Sequence, residues 1–335
     1  MLTKHPRVRI LPLVWLVVAL FALGWLSPVG GSDDSNGTLT APDPLDVGSD
    51  HYFELQHGGQ LRSFELHLPP DWDNEPIPLV VSIHGATLSV GMYRKQAGLD
   101  RLADKHRFMV LYPYGTRMAG LRLWNAGTCC GWPQVTQQDD VGFILSALAQ
   151  VKRFFPVDTS RVYVTGMSNG AMMTYRLALE APEQFAAIAA VAGNMASNEF
   201  SPSRPISIMH IQSYDDPLLP YRGRANLPLP IQSGAETLKL WAQYADCPKE
   251  PTIDRERAGP PDKTHTWRAV RKVWRPCNAN TEIVLWELHG AGHVWPGGYQ
   301  PPHIQLLAGG AYDVIDASAE IWTFFQRHHL TDSGS

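Results

Sequence analysis

The sequence has no basic run or stripe, no internal repeat and no Cys-x-x-Cys spacing, and its first cysteine is Cys129. Without a basic stripe, nucleic acid is not an expected partner. Without a repeat or a second set of strands, a single catalytic domain is expected. The cysteine spacing argues against a metal site, and a first cysteine so late in the chain excludes a lipoprotein anchor. Charge is sparse at 18%, against 44% hydrophobic residues, which is ordinary globular composition with ample material for a core. Of 28 basic residues, Lys4, Arg7 and Arg9 precede position 32 and no acid does. Beyond residue 31, 25 bases therefore face 32 acids, a net of −7 against −4 for the whole chain.

What is present begins with an export pattern. Lys4 to Arg9 precede an uncharged apolar run, Ile10 to Leu26, which Ser27-Pro28-Val29-Gly30-Gly31 breaks. Residues 1–31 are expected to be a signal peptide or a signal anchor, and the protein to be secreted or periplasmic. Ala22-x-Gly24 is a tolerable cleavage site, and membrane contact follows only if the signal stays attached. Residues 32–48 read as a polar linker, and 49–330 as the catalytic domain.

Within that domain Tyr52–Leu68 alternates around Gly58-Gly59 like a hairpin. Short β-branched runs follow at Pro78–His84, Phe108–Tyr112, Arg161–Gly166, Phe185–Ala192, Ile206–Gln212 and Thr281–Leu288. Helical patterns lie near Tyr93–His106, Asp139–Phe154, Ala171–Glu180, Ala235–Asp246 and Ile315–His328. Strands alternating with helices predict an α/β fold, with a mostly parallel central sheet covered by helices on both faces. An exported chain with four cysteines predicts disulfides. Cys247 ends a helix and Cys277 precedes a strand, so their pairing is expected, worth about 3.5 kcal/mol for a loop of this length. Cys129 and Cys130 either bond to each other or remain thiols.

The chemistry centres on Gly166-Met-Ser168-Asn-Gly170, entered by a β-branched run and left by a helical pattern. That strand–turn–helix context is what a nucleophile elbow requires, because the glycines clear the space around a serine on a sharp turn. The serine needs a base, which in this order of motifs follows a late strand. His293, in the loop Gly290-Ala-Gly-His293, meets that demand better than His289. The pair is not a zinc motif, since glycines separate the two and the Glu of His-Glu-x-x-His is absent. No cofactor is implied. The acid that orients the imidazole should follow the preceding strand, where Asp215 and Asp216 both qualify and spacing alone does not choose. The oxyanion needs two backbone donors: Asn169, directly after the serine, and Ala86 in His84-Gly85-Ala86-Thr87, with Thr87 as the alternative. His84 is expected to brace that loop on the substrate side. Trp295, Trp124 and Trp132 are placed to form an apolar platform for substrate, with core packing as the alternative. Asp139-Asp140 opens a helix, where carboxylates suit the macrodipole.

These motifs resemble the secreted esterases grouped as poly(3-hydroxybutyrate) depolymerase-like and feruloyl or acetylxylan esterases. The likeness runs from about Tyr52 to His328. It rests on Trp124-Asn-Ala-Gly-Thr-Cys-Cys-Gly131, Asp139-Asp-Val-Gly-Phe-Ile144, Tyr163-Val-Thr-Gly-Met-Ser-Asn-Gly170 and Gly292-His-Val-Trp-Pro-Gly-Gly298. The resemblance implies an α/β-hydrolase fold and a serine esterase taking a small or oligomeric ester as its partner. Asp216-Pro-Leu-Leu-Pro-Tyr221 is similar to the family's acid motif and selects Asp216. Two departures bear on substrate: Gln212-Ser213-Tyr214 stands where the family usually has His-Gly-Thr, and Ala86-Thr87 where Cys or Gly often follows His-Gly. A peptidase on the same fold and a catalytically silent binding protein are the competing classes. The first lacks a supporting propeller or cap domain, and the second has no physical need for serine, acid and histidine together.

Overall fold

The chain enters its sheet through an antiparallel hairpin, β1 (Asp50–His57) and β2 (Gln60–His67). Gly58 and Gly59 make the turn at φ 59° and 73°, a left-handed pair that matches the twist of the two strands. The computed structural model describes residues 47–87, 89–223, 232–259 and 267–330. The signal and nearly all of the linker expected from the sequence lie outside the described residues. Among the described residues no helix is long and apolar enough to cross a membrane.

Six strands run parallel: β3 (Ile77–Ile83), β4 (Met109–Pro113), β7 (Val157–Met167), β8 (Ala187–Val191), β9 (Ser207–Ser213) and β12 (Ile283–His289). Together with β10 (Thr252–Ala258) and β11 (Arg268–Trp274) they complete a ten-stranded sheet in the order β1-β2-β4-β3-β7-β8-β9-β12-β11-β10. β3, β4, β8 and β9 are buried at every residue, which is why their sequences read as continuous apolar runs and not as alternations. A separate small pair, β5 (Thr116–Met118) and β6 (Leu121–Leu123), lies in the connection after β4.

The helices are α1 (Val90–Ala97), α2 (Leu99–His106), α3 (Gly131–Val135), α4 (Asp140–Phe154), α5 (Asn169–Glu180), α6 (Gly234–Tyr244), α7 (Pro302–Ala308) and α8 (Ala317–Phe325). Ile144, Leu148, Leu177 and Leu238 bring α4, α5 and α6 onto the sheet face that carries Leu79, Val81, Val162 and Val164. Tyr93, Leu99, Ile321 and Phe325 bring α1, α2 and α8 onto the opposite face, with Val80, Tyr163 and Trp286. Alternate residues of the same strands serve the two cores, as period-2 geometry demands.

Four expectations need correction. Tyr93–His106 is two helices, because Gly98 takes φ 62° and ends α1 with its N–H on Arg94 C=O. The connection 113–135, where the sequence predicts neither strand nor helix, contains β5, β6 and α3. The stretch from Pro248 to Pro276, where the sequence predicts no strand, contains β10 and β11. β10 (TIDRERA) is exposed at every position, so it has no apolar alternation to read, and backbone pairing to β11 holds it. α7 was not foreseen at all. The pairing Cys247–Cys277 is present, and Cys129 and Cys130 are bonded to each other.

Candidate active site

The C-terminal ends of β3, β7, β9 and β12 form one crest, and each carries a loop of the candidate site. Ser168 ends β7 and begins α5 at φ 58°, ψ −123°, a region that side chains other than glycine rarely adopt. The neighbours of Ser168 show why the pattern needs glycine. A side chain at Gly166 would collide with the Gly170 carbonyl, and one at Gly170 with the Ile83 and His84 carbonyls. Ser168 N–H donates to Val191 C=O at 2.9 Å and its carbonyl accepts from Met172 N–H at 3.1 Å, so the turn is fixed on both sides.

His293 is 8% exposed, and its Nδ1 lies 2.7 Å from Asp216 Oδ2. The other Asp216 oxygen, Oδ1, accepts from the N–H groups of Leu218 and Leu219, both at 2.8 Å. Pro217 and Pro220 lack an N–H, so the two amides of that turn both go to the carboxylate. Asp215 faces elsewhere: its Oδ2 accepts from Gly290 N–H at 2.7 Å and ties the acid loop to the histidine loop. Ser213 adds a second tie, its hydroxyl donating to the Ala291 carbonyl and accepting from Asp215 N–H at 3.1 Å. No hydrogen bond joins Ser168 Oγ to the imidazole in this structure; the closed half of the constellation is His293 with Asp216.

On the nucleophile side the Asn169 side chain grips the backbone of Trp124 twice. Its Oδ1 accepts from Trp124 N–H at 2.8 Å and its Nδ2 donates to Trp124 C=O at 3.1 Å. The N–H groups of Asn169 and Ala86 have no hydrogen-bond partner among the described residues. Thr87 N–H, the alternative donor, is spent on Arg122 C=O at 3.2 Å.

Trp124 and Trp295, expected to form a substrate platform, and His84, expected to brace its loop on the substrate side, are placed beneath the site and not in its mouth. His84 and Trp124 have no exposed surface and Trp295 has 2%. Gly115 N–H donates to His84 Nε2 at 2.9 Å, so Nδ1 carries the proton and donates to Gly85 C=O at 2.6 Å. Burial pushes this imidazole down to about 4, which keeps the strut neutral. Trp124 Nε1–H donates to His84 C=O at 2.8 Å, and Trp295 Nε1–H to Ser318 Oγ at 2.9 Å. With rings packed and polar handles satisfied, these side chains support the loops. Trp132, in contrast, is 49% exposed.

The sequence also hid two struts. Gln212 Nε2 donates to Leu219 C=O at 2.5 Å and so holds the turn around Asp216. Asp140 is wholly buried, bonded to Arg62 Nη2 at 2.7 Å and to Asn125 N–H at 2.7 Å, and anchors the loop leading from Trp124. Asp139, by contrast, caps α4 through Gly142 N–H at 2.9 Å. A buried position is a tertiary fact, and only the family pattern around Asp139-Asp140 pointed toward one.

Comparison with known proteins bears on this arrangement at one decisive point: residues 62–222 match the family described as Esterase PHB depolymerase. Those residues are an esterase PHB depolymerase domain. The chain is thereby a carboxylic ester hydrolase. It is similar to NocK of Nocardia uniformis subsp. tsuyamanensis, with 29% identity over 268 residues covering 74% of each chain. Poly(3-hydroxyalkanoate) depolymerase C of Paucimonas lemoignei is 25% identical over 78% of this chain and 64% of that protein. The bifunctional acetylxylan esterase/xylanase XynS20E of Neocallimastix patriciarum is 26% identical, over 64% of this chain but 28% of its own length. The solved acetyl xylan esterase from Aspergillus awamori covers 73% of this chain at a TM-score of 0.50 and 19% identity. With the parallel sheet and its two helical faces, that likeness gives the fold as α/β-hydrolase.

Proposed function

We propose that the protein is an exported serine esterase in which Ser168 is the nucleophile, His293 the general base and Asp216 the acid that orients it. The observation that carries this reading is the 2.7 Å contact between His293 Nδ1 and a buried carboxylate, on the same crest as the strained Ser168. Ser168 Oγ attacks the ester carbonyl carbon while its proton passes to His293 Nε2. The N–H groups of Ala86 and Asn169 receive the oxyanion. The imidazolium returns that proton to the leaving alkoxide as the C–O bond breaks, leaving an acyl-serine. Water, giving a proton to His293, then attacks the acyl carbon; the imidazolium passes that proton to Ser168 Oγ as the acyl–oxygen bond breaks, and the acid leaves. Asp216 accepts from His293 Nδ1–H, holds the ring and stabilises the imidazolium.

The substrates are soluble esters: 3-hydroxybutyrate oligomers, or feruloyl or acetyl esters of polysaccharides. Relatives named for depolymerase and acetylxylan esterase activity support that range. A panel of acetyl, butyryl, feruloyl and 3-hydroxybutyrate oligomer esters, compared by kcat/KM, is the test. Ser168→Ala should lower kcat by about 10⁶ with the fold intact, on the precedent of a comparable triad. Retention of more than a few per cent of activity would remove Ser168 from the nucleophile's role. Turnover of peptides in place of esters would favour a peptidase.

A further inference from the structure

The turn that carries Asp216 has little core of its own. None of the residues from Pro217 to Pro220 is fully buried, and the turn closes on Tyr221, which is 7% exposed. The Tyr221 ring lies on Gly234, where a side chain would come within 2.8 Å of two ring carbons, and Gly234 N–H donates to Tyr221 C=O at 2.8 Å. Tyr214 stands against this anchor, with the two ring centroids 4.8 Å apart. The same Tyr214 ring stacks on His289, at 5.1 Å and 12° between planes. His289 is itself held, its Nε2 lying 3.0 Å from Glu287 Oε1, while Lys272 Nζ donates to Glu287 Oε2 at 2.6 Å. Tyr214 therefore joins the end of the acid turn to the start of the histidine loop.

Three successive residues bind these two loops together. The Ser213 hydroxyl donates to Ala291 C=O, Asp215 Oδ2 accepts from Gly290 N–H, and between them Tyr214 N–H donates to Leu288 C=O at 2.9 Å. A hydrogen bond fixes one distance and still lets a loop pivot. A stacked ring makes many atom contacts at once and fixes tilt as well. We infer that Tyr214 is a positioning residue, whose ring keeps the Asp216 carboxylate in line with His293 Nδ1. The inference rests on the assignment of Asp216 and His293 as acid and base, and names what holds them in register. The departure from His-Gly-Thr at positions 212–214 thereby acquires a use, since a threonine at 214 has no ring to span Tyr221 and His289.

The test compares Tyr214→Ala with Tyr214→Phe in the full chain. Tyr214→Ala should lower kcat for p-nitrophenyl acetate by about 10- to 100-fold with KM unchanged, the scale of a small misplacement in an active site. Tyr214→Phe, which keeps the ring, should stay within about twofold of wild type. Proton NMR reads the alignment directly: the His293 Nδ1–H bound to Asp216 should resonate well downfield of the amides and be displaced in Asp216→Asn. That resonance should be lost or moved upfield in Tyr214→Ala and persist in Tyr214→Phe. His289→Ala removes the partner ring, and combined with Tyr214→Ala it should add less than its own separate loss. An unchanged kcat and resonance in Tyr214→Ala, with only the melting temperature lowered, would overturn the inference. So would a rise in KM alone, which would make Tyr214 a substrate contact, or equal losses in the Ala and Phe variants, which would make the hydroxyl the agent. A loss in His289→Ala as large as that expected of Ser168→Ala would make His289 the base and overturn it too. If the wild type hydrolysed no ester while the downfield proton still depended on the Tyr214 ring, the assignment of Ser168 would fail and the alignment would stand. Should Tyr214→Ala misfold, Tyr214→Leu, which fills space without a flat face, carries the same comparison.

Discussion

Two histidines stand at the crest of the sheet, and their neighbours give them opposite work. The ring nitrogens of His84 hydrogen-bond only to neutral backbone groups, Gly85 C=O and Gly115 N–H, in a pattern that fits the uncharged ring alone. His293 is almost as buried, yet its Nδ1 meets a carboxylate, and two amides hold that carboxylate's other oxygen. A proton added to His84 would displace a hydrogen bond and find no counter-ion. Burial is shared, so what sets the two rings apart is the partner, backbone groups for His84 and a carboxylate for His293.

Asp216→Asn tests this most severely, because it makes the surroundings of His293 resemble those of His84. Initial rates on an ester should show kcat reduced by about 10⁴, as for the equivalent change in a protease triad. Asp215→Asn, which retains an oxygen for Gly290 N–H, should leave kcat within about threefold, in keeping with the small effect of substitutions that keep their hydrogen bonds. The opposite ranking would move the acid role to Asp215.

Replacing Cys247 and Cys277 by serine separates stability from chemistry. The bond spans 30 residues of chain and ties the segment after α6 to the approach to β12. Its loss should cost about 3.5 kcal/mol, lowering the melting temperature while ester turnover at low temperature survives. Equal loss of both would mean that the tie also sets the geometry of His293.

His84 makes a prediction about acid. Its folded-state pKa of about 4 lies below the 6.5 of an exposed ring. The unfolded chain therefore binds the extra proton between those values, and stability present above pH 6.5 declines as pH falls toward 4. The loss is on the order of 3 kcal/mol. Buried His210, pushed down to about 3, adds a descent of its own. The difference between wild type and His84→Gln in urea midpoint against pH isolates His84, and coincident curves would exclude it as a source.

Gln212→Leu frees the Leu219 carbonyl and loosens the turn around Asp216. A shift of that kind should lower kcat by about 10- to 100-fold with KM unchanged. A loss confined to melting temperature would make Gln212 structural only.

The sequence made the elbow legible because glycine spacing, a β-branched run and a helical pattern coincide around Ser168. The position of His293 followed from a strand and its glycine loop. The choice between Asp215 and Asp216 did not, since both suit a turn and their difference is one of direction. Trp124 and Trp295 misled because an aromatic beside a motif looks the same in sequence whether it faces solvent or lies under the loop. β10 escaped because its register is fixed by backbone pairing, which leaves no mark on a run of alternating charges. α7 escaped because it is short, opened by prolines and closed by glycine.

That charged strand has a consequence beyond its own position. β11, beneath it, buries Ala269, Val270, Arg271 and Val273 and would otherwise present an open backbone ladder. β10 occupies that ladder and turns outward Arg255 and Arg257, paired with Glu320, and Glu256, paired with Arg268. A second molecule approaching along this side would have to add a strand to a rim of fixed, mutually satisfied ions, and such rims resist further pairing. The stretch that looks least ordered in sequence is thus the selvedge of the sheet, the woven border that keeps it from unravelling into its neighbours.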